Sequence, residues 1–266
     1  MSEHLIERMT WQEVEACIEA GVDAVLLPVG TTEQHGPHMP LDTDCIIAQG
    51  LAGRAAQLAA DEGLRVLVAP TLNVTLSWYH MQFPGSMRLS TATFLQVFRE
   101  VCDSIVHHGF ENVIAINGHG GNVAALTVAV NHYFEQTGQR VFLAQWWDLA
   151  ADVLADVEGP MIHAEEAETS LAIALGQRVE MDRATCDAWD RGAAVRDAGF
   201  QWTSLGQYGM RHAGPKVVVP MDMLRDITAS GVVGDATRAR LETGDRMVAA
   251  VVPRIVQVCR EMAGKG

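Results

Sequence analysis

Apolar and polar positions along this chain fall into two alternating regimes, and together they predict a layered α/β protein. The run Ala24–Val29 is apolar throughout and short, which reads as a strand buried on both faces. Residues 65–69, 112–116 and 141–145 read as further short strands. Between them, residues 46–61, 91–108 and 123–137 carry apolar positions at helical spacing. Thr10 followed by Glu13 is a capping-box signature, and it opens a helix that ends near Gly21. Helices are also predicted over 164–175 and 237–262, the second bent at Pro253. Residues 71–90 and 187–219 show no period, and irregular stretches of that length within a compact domain are often functional.

Strands alternating with helices predict a mainly parallel sheet covered on both faces. Ligands of such sheets gather at the carboxyl ends of the strands. Two segments rich in His and Gly, 30–44 and 117–122, directly follow predicted strands and belong to that edge. No internal repeat, low-complexity tract or Pro/Ser-rich linker divides the chain, so residues 1–266 are expected to form one domain.

Composition narrows the partners. A hydrophobic content of 48% suffices for a substantial core, and a net charge of -14 argues against nucleic acid and anionic membrane surfaces. The five cysteines, at 17, 45, 102, 186 and 259, form no CxxC pair, so neither a disulfide framework nor a zinc–thiolate site is expected. Cys45, beside Asp44, reads as a small buried residue rather than a nucleophile. The first eleven residues are polar and mixed in charge, unlike a signal peptide, and no apolar run reaches membrane-spanning length. The expected location is the reducing cytoplasm.

The candidate chemistry concentrates in three segments. Glu33, His35, His38, Asp42 and Asp44 follow the first strand, and carboxylates alternating with imidazoles suit zinc or manganese without any thiolate. An ordinary polar loop is the competing reading. Asn117-Gly118-His119-Gly120-Gly121-Asn122 sets one histidine among glycines, which favours a metal or substrate role for His119 over a tight turn. It lacks the Lys-Ser/Thr of a phosphate loop, which removes the case for nucleotide binding. In His163-Ala164-Glu165-Glu166-Ala167-Glu168, Glu165 and Glu166 suit the first turn of a helix, whereas Glu168 precedes an apolar stretch and turns inward. His163 stands just before that helix, where a general acid/base could reach a substrate. Trp78, Tyr79, His80 and Trp147, with Gly118 and Gly120, are candidate substrate contacts. His4, His107, His108, His132 and His212 read as structural or surface histidines.

Taken in order, these segments resemble the creatininase family of metal-dependent amidohydrolases. The matching residues are Pro28 to His38 with Asp44, then Phe83-Pro84-Gly85-Ser86, Asn117 to Asn122, His163 with Glu168-Thr169-Ser170, and Gly231-Val232-Val233-Gly234-Asp235. The resemblance implies a three-layer αβα sandwich, two divalent ions per subunit (zinc and/or manganese) and a homohexamer. It implies Glu33, His35, Asp44, His119 and Glu168 as ligands, Asp44 as the bridge between ions, and His163 acting near the substrate. The implied reaction is attack of an activated hydroxide on the carbonyl or amide carbon of a small polar, cyclic substrate. Creatininase itself carries Tyr-Glu where this chain has Gly120-Gly121, which argues against creatinine as the substrate. Hydrolytic opening of a cyclic ketone such as a keto-inositol, and a metal-stabilised binding protein without turnover, are the alternatives. The irregular stretches 71–90 and 187–219 are expected to set substrate choice.

Overall fold

The computed structural model describes residues 3–157, 161–187 and 221–264. Four strands, β1 (Ala24–Val29), β2 (Val66–Val68), β3 (Val113–Asn117) and β4 (Val141–Gln145), form one sheet in the order β2-β1-β3-β4. Every pairing in it is parallel. Ala24, Leu26, Val66, Val68, Ile114 and Ile116 face one core, shared with α2 (Thr43–Asp61), α5 (Trp146–Leu149), α6 (Ala151–Leu154), α7 (Glu166–Ala174) and α8 (Leu241–Ala263). Val25, Leu27, Val29, Leu67, Val113 and Ala115 face a second core. That core holds Phe94 and Phe98 of α3 (Thr91–His107), Leu126 of α4 (Val123–Thr137) and the apolar edge of α1 (Trp11–Ala20). Burying each large apolar side chain contributes about 1.5–3 kcal/mol. A one-residue slip of β1 would exchange its two faces, so the two cores together fix the register. This is the three-layer αβα sandwich expected from the chain.

Local chemistry sets the helix ends. Thr10 and Glu13 form the expected capping box of α1, and Ser90 accepts from the Thr93 amide at the start of α3. Glu165 caps α7 by accepting from the amides of Ala167 and Glu168. Three boundaries differ from expectation. The helix expected over 46–61 begins at Thr43, so Asp44 lies in its first turn rather than in the preceding loop. Asp42, a residue type favoured at that position, stands at the N-cap but makes no side-chain cap there. The helix expected from residue 164 begins at Glu166, because Ala164 sits in the left-handed region at φ 53°. The last helix follows a separate 3-10 turn, Ala236–Arg238, and runs through Pro253 without interruption. A small antiparallel pair, β5 (Cys186–Asp187) and β6 (Gly234–Asp235), was not foreseen. Residues 188–219 of the second irregular stretch lie outside the described residues. Among the described residues, no helix is long and apolar enough to cross a membrane.

Register brings the site together. Val29 pairs with Asn117, and Asn117 with Gln145, so β1, β3 and β4 end level with one another. The chain leaving β1 leads to Glu33 and His35, and the chain leaving β3 leads to His119.

Candidate metal centre

Each candidate side chain is held from below by backbone. The Glu33 amide donates to the Leu41 carbonyl at 2.9 Å, which closes the 33–44 segment into a loop. Asp44, in the first turn of α2, lies directly against the end of β3. A Cβ on Gly118 would collide with the Asp44 carbonyl, so this approach requires glycine. The Gly118 amide donates to the Val29 carbonyl at 2.8 Å, and His119 follows at once. Glu168, in the first turn of α7, accepts from the Ala164 amide at 2.5 Å. The left-handed turn at Ala164 aims that amide into the site.

The five side chains converge. His35 Nε2 lies 3.1 Å from Asp44 Oδ1, and His119 Nδ1 lies 3.1 Å from Asp44 Oδ2 and 3.2 Å from Glu33 Oε1. Potential ligand atoms of Glu33, Asp44 and His119 lie within 4.8 Å of one another, and so do those of His35, Asp44 and Glu168. A third such group joins Glu33 and His35 to His163. Asp44 belongs to two groups, and its two oxygens face different imidazoles. All of these side chains are buried.

The donor set fits divalent cations. His35 Nδ1 lies 3.1 Å from the Glu33 carbonyl, and His119 Nε2 lies 2.8 Å from the Leu76 carbonyl. A carbonyl only accepts, so these nitrogens carry the hydrogens, and His35 Nε2 and His119 Nδ1 turn lone pairs toward the carboxylates. Backbone carbonyls orient metal-binding histidines in this way. Among the described residues, Glu33 Oε1 and Asp44 Oδ2 are buried without a hydrogen-bond partner. An interior lined by carboxylate oxygens and imidazole lone pairs needs protons or cations to hold it together. Nitrogen and oxygen donors of this kind suit zinc or manganese.

Protons fill that role when no cation does. Burial works against charge on His35, but Asp44, with Glu168 and Glu33, raises its pKa to about 9. His119 is likewise opposed by burial and driven well above its ordinary value, chiefly by Glu33. Burial would lift Asp44, yet His35 and His119 hold it well below the usual carboxylate range. Burial raises Glu168 to about 7, with His35 pulling the other way. Glu165, outside the cluster, is raised to about 8 by burial and by Glu168.

A shell of polar side chains surrounds the cluster. Ser77 donates to Glu33 Oε2, and His80 Nε2 lies 3.3 Å from Glu33 Oε1. Tyr79 Oη lies 3.3 Å from His119 Nε2, and burial pushes its pKa far up. His163 Nδ1 lies 3.8 Å from Glu33 Oε1. Burial, then the neighbouring His35, keeps His163 well below its usual pKa and therefore neutral. His38 and Asp42 stand apart from these groups. His38 Nε2 pairs with Thr169 Oγ1 at 2.9 Å, and Asp42 accepts from Gln177 at 2.9 Å. Both tie the 33–44 segment to α7 or to the chain that follows it.

The candidate substrate contacts divide. Tyr79 and His80 lie at the cluster, while Trp78 stands 42% exposed beside Tyr79. Gly120 is exposed, and among the described residues nothing fills the space where a side chain would project. Gly118 serves the close approach to Asp44. Trp147 packs into the first core edge-on to Trp146, because α5 folds back onto α8 directly after β4. His107, His108 and His132 are exposed, and His212 lies outside the described residues. Sequence reasoning overlooked Ser77 and Gln34. Ser77 lay inside the aperiodic 71–90 stretch, and Gln34 was hidden by its alternation with Glu33 and His35.

Comparison with known proteins points the same way. A family model described as "Creatininase: Creatinine amidohydrolase" matches residues 7–259. A mycofactocin precursor peptide peptidase of Mycobacterium tuberculosis is 30% identical over 241 residues, 88% of this chain and 83% of that protein. Its counterpart in Mycolicibacterium smegmatis is 43% identical over 110 residues, only 44% of that protein and 41% of this chain. Creatinine amidohydrolase of Pseudomonas putida is 26% identical, with 96% of both chains covered. A 3-dehydro-scyllo-inosose hydrolase of Thermotoga maritima is 25% identical over 96% of this chain and 82% of that protein. Among solved structures, a protein from Bacteroides fragilis described as a "Putative creatinine amidohydrolase" superposes with a TM-score of 0.81 at 23% identity, covering 99% of this chain and 98% of that one. A manganese form of creatininase gives 0.75 at 26% identity, with 98% of both chains covered.

Proposed function

The chain belongs to the creatininase family of hydrolases, and we propose that it hydrolyses an amide C–N bond with two divalent ions held by Glu33, His35, Asp44, His119 and Glu168. The observation that carries this reading is the division of Asp44, whose Oδ1 faces His35 and whose Oδ2 faces His119. One carboxylate shared by two ligand groups suits a bridged ion pair. Two of the activities named among the relatives, a peptide peptidase and a creatinine amidohydrolase, act on C–N bonds.

Bound there, zinc or manganese ions would polarise a carbonyl and lower the pKa of water. The chain's own residues do the rest. Glu33, Asp44 and Glu168 supply the negative charge that holds two cations in a buried site. Ser77 fixes the orientation of Glu33 by donating to its Oε2, with His80 Nε2 3.3 Å from the other oxygen. His163, neutral and next to Glu33, is placed to take a proton at Nδ1 and to return it to a leaving nitrogen. Exposed Gly120 and Trp78 mark the open side from which a substrate approaches.

A second reading, opening of a ring C–C bond beside a ketone, is favoured by the inosose hydrolase among the relatives. One experiment separates the readings. Purified protein loaded with Mn2+ or Zn2+ is assayed against lactams, formamides, peptides with free ends and cyclic ketones, with chelator-treated protein as control. Metal-dependent turnover of an amide supports the first reading, and turnover of ketones alone supports the second. Retained metal with no turnover of any class would favour a binding protein.

A further inference from the structure

Gln34 stands between two candidate ligands, and its side chain reaches two imidazoles that neither neighbour orients. Its Oε1 accepts from the Gly36 amide at 2.9 Å, and since that amide only donates, the orientation of the carboxamide is fixed. Nε2 then lies 3.1 Å from the Gly231 carbonyl, 3.1 Å from His80 Nδ1 and 2.9 Å from His163 Nε2. Two hydrogens meet three neighbours. The Gly231 carbonyl can only accept, and it takes one. A Cβ at Gly231 would collide with the carboxamide, so this contact requires glycine there.

The backbone of Gln34 decides the other. His163 Nε2 lies 2.8 Å from the Gln34 carbonyl, so this nitrogen carries a hydrogen and donates it there. It therefore accepts nothing from the carboxamide. The second amide hydrogen goes to His80 Nδ1, which must be bare, and the hydrogen of His80 sits on Nε2, 3.3 Å from Glu33 Oε1. The opposite arrangement, with His163 Nε2 bare, deprives the Gln34 carbonyl of this donor and turns an N–H of His163 toward Glu33.

We propose that Gln34 is a positioning residue that sets the tautomers of His80 and His163 and so gives two adjacent imidazoles different work. The two rings lie 4.4 Å apart between centroids. His80 keeps its hydrogen on Nε2, the nitrogen 3.3 Å from Glu33 Oε1. His163 becomes an imidazole with a bare Nδ1 facing the cluster, free to take a proton or to hold a cation. The consequence for turnover rests on the hydrolase reading above, whereas the tautomers do not.

Long-range 1H–15N spectra of 15N-labelled wild-type protein, metal-free and zinc-loaded, read the tautomers directly. Both His80 and His163 are expected as Nε2–H forms. An Nδ1–H form of either overturns the proposal. In Gln34→Met, His80 is expected to become a mixture of tautomers. His35 and His119, held by the carbonyls of Glu33 and Leu76, keep their wild-type forms. Loss of such an outer contact lowers kcat by about 10–100-fold, here with the zinc content unchanged. A Gln34→Met protein with wild-type spectra and wild-type kcat also overturns the proposal. If Gln34→Met fails to fold, the wild-type tautomers decide alone. Wild-type protein that takes up no zinc would defeat the two-ion reading and leave the tautomer result standing on its own.

Discussion

Metal uptake by the ion-free protein near pH 7 is expected to release about two to three protons per pair of ions, two of them from imidazoles. With a pKa of about 9, His35 is charged at that pH, and His119, raised further above its ordinary value, is charged as well. Each belongs to a different ligand group, His35 with Asp44 and Glu168, His119 with Glu33 and Asp44. Each ion must therefore displace one imidazole proton. Affinity at each site then rises about tenfold per pH unit below the imidazole pKa, or about 1.4 kcal/mol. For the site of His35 the rise flattens near pH 9. Glu168, at about 7, adds about half a proton at that pH and approaches a whole one about a pH unit lower. Without ions the sign reverses. A raised imidazole pKa stabilises the fold fully below its ordinary value of 6.5, and that contribution is lost as the pH climbs through about 9. Calorimetric titration with Mn2+ in two buffers of different ionisation enthalpy measures the released protons. Release below about half a proton per ion, with an affinity independent of pH, would refute the pairing of these imidazoles with Asp44 and Glu33.

Other outcomes follow from the same geometry. Ser77→Ala removes the hydroxyl that donates to Glu33 Oε2; it should weaken metal binding by about 10–100-fold with little change in melting temperature, read by competition with a chromophoric chelator. Gly118→Ala places a methyl against the Asp44 carbonyl and should cost about 1–3 kcal/mol in urea denaturation, with loss of bound metal. Ala164→Gly should be nearly neutral in the same denaturation assay, because relief of its left-handed backbone, about 1 kcal/mol, offsets the lost methyl. Ala172→Gly, equally buried but helical, should cost about 2 kcal/mol by comparison.

The parallel sheet was legible because both its faces are buried, which left Ala24–Val29 and residues 113–116 as unbroken apolar runs. Glu33, His35 and His119 were legible as polar groups placed just beyond strand ends, where such sheets bind ligands. Asp44 was legible as chemistry but not as part of α2, because the polar run 42–44 reads as a continuation of the loop before it, although α2 begins at Thr43. Trp147 was misleading. Its position after β4 suggests the site edge, yet the chain folds back and packs it into the core. Ser77 and the Leu76 carbonyl carry no local signal, and Gly231 was legible only as part of a family-like segment, without its contact to Gln34. Each contacts the centre across more than 40 residues, and only the fold brings them there.

The sharing of Asp44 between two ions is tested most directly by anomalous diffraction at the manganese edge from crystals grown with Mn2+. Two peaks are expected, one among Glu33, His119 and Asp44 Oδ2, the other among His35, Glu168 and Asp44 Oδ1. A single peak, or two peaks of which Asp44 touches only one, would contradict it.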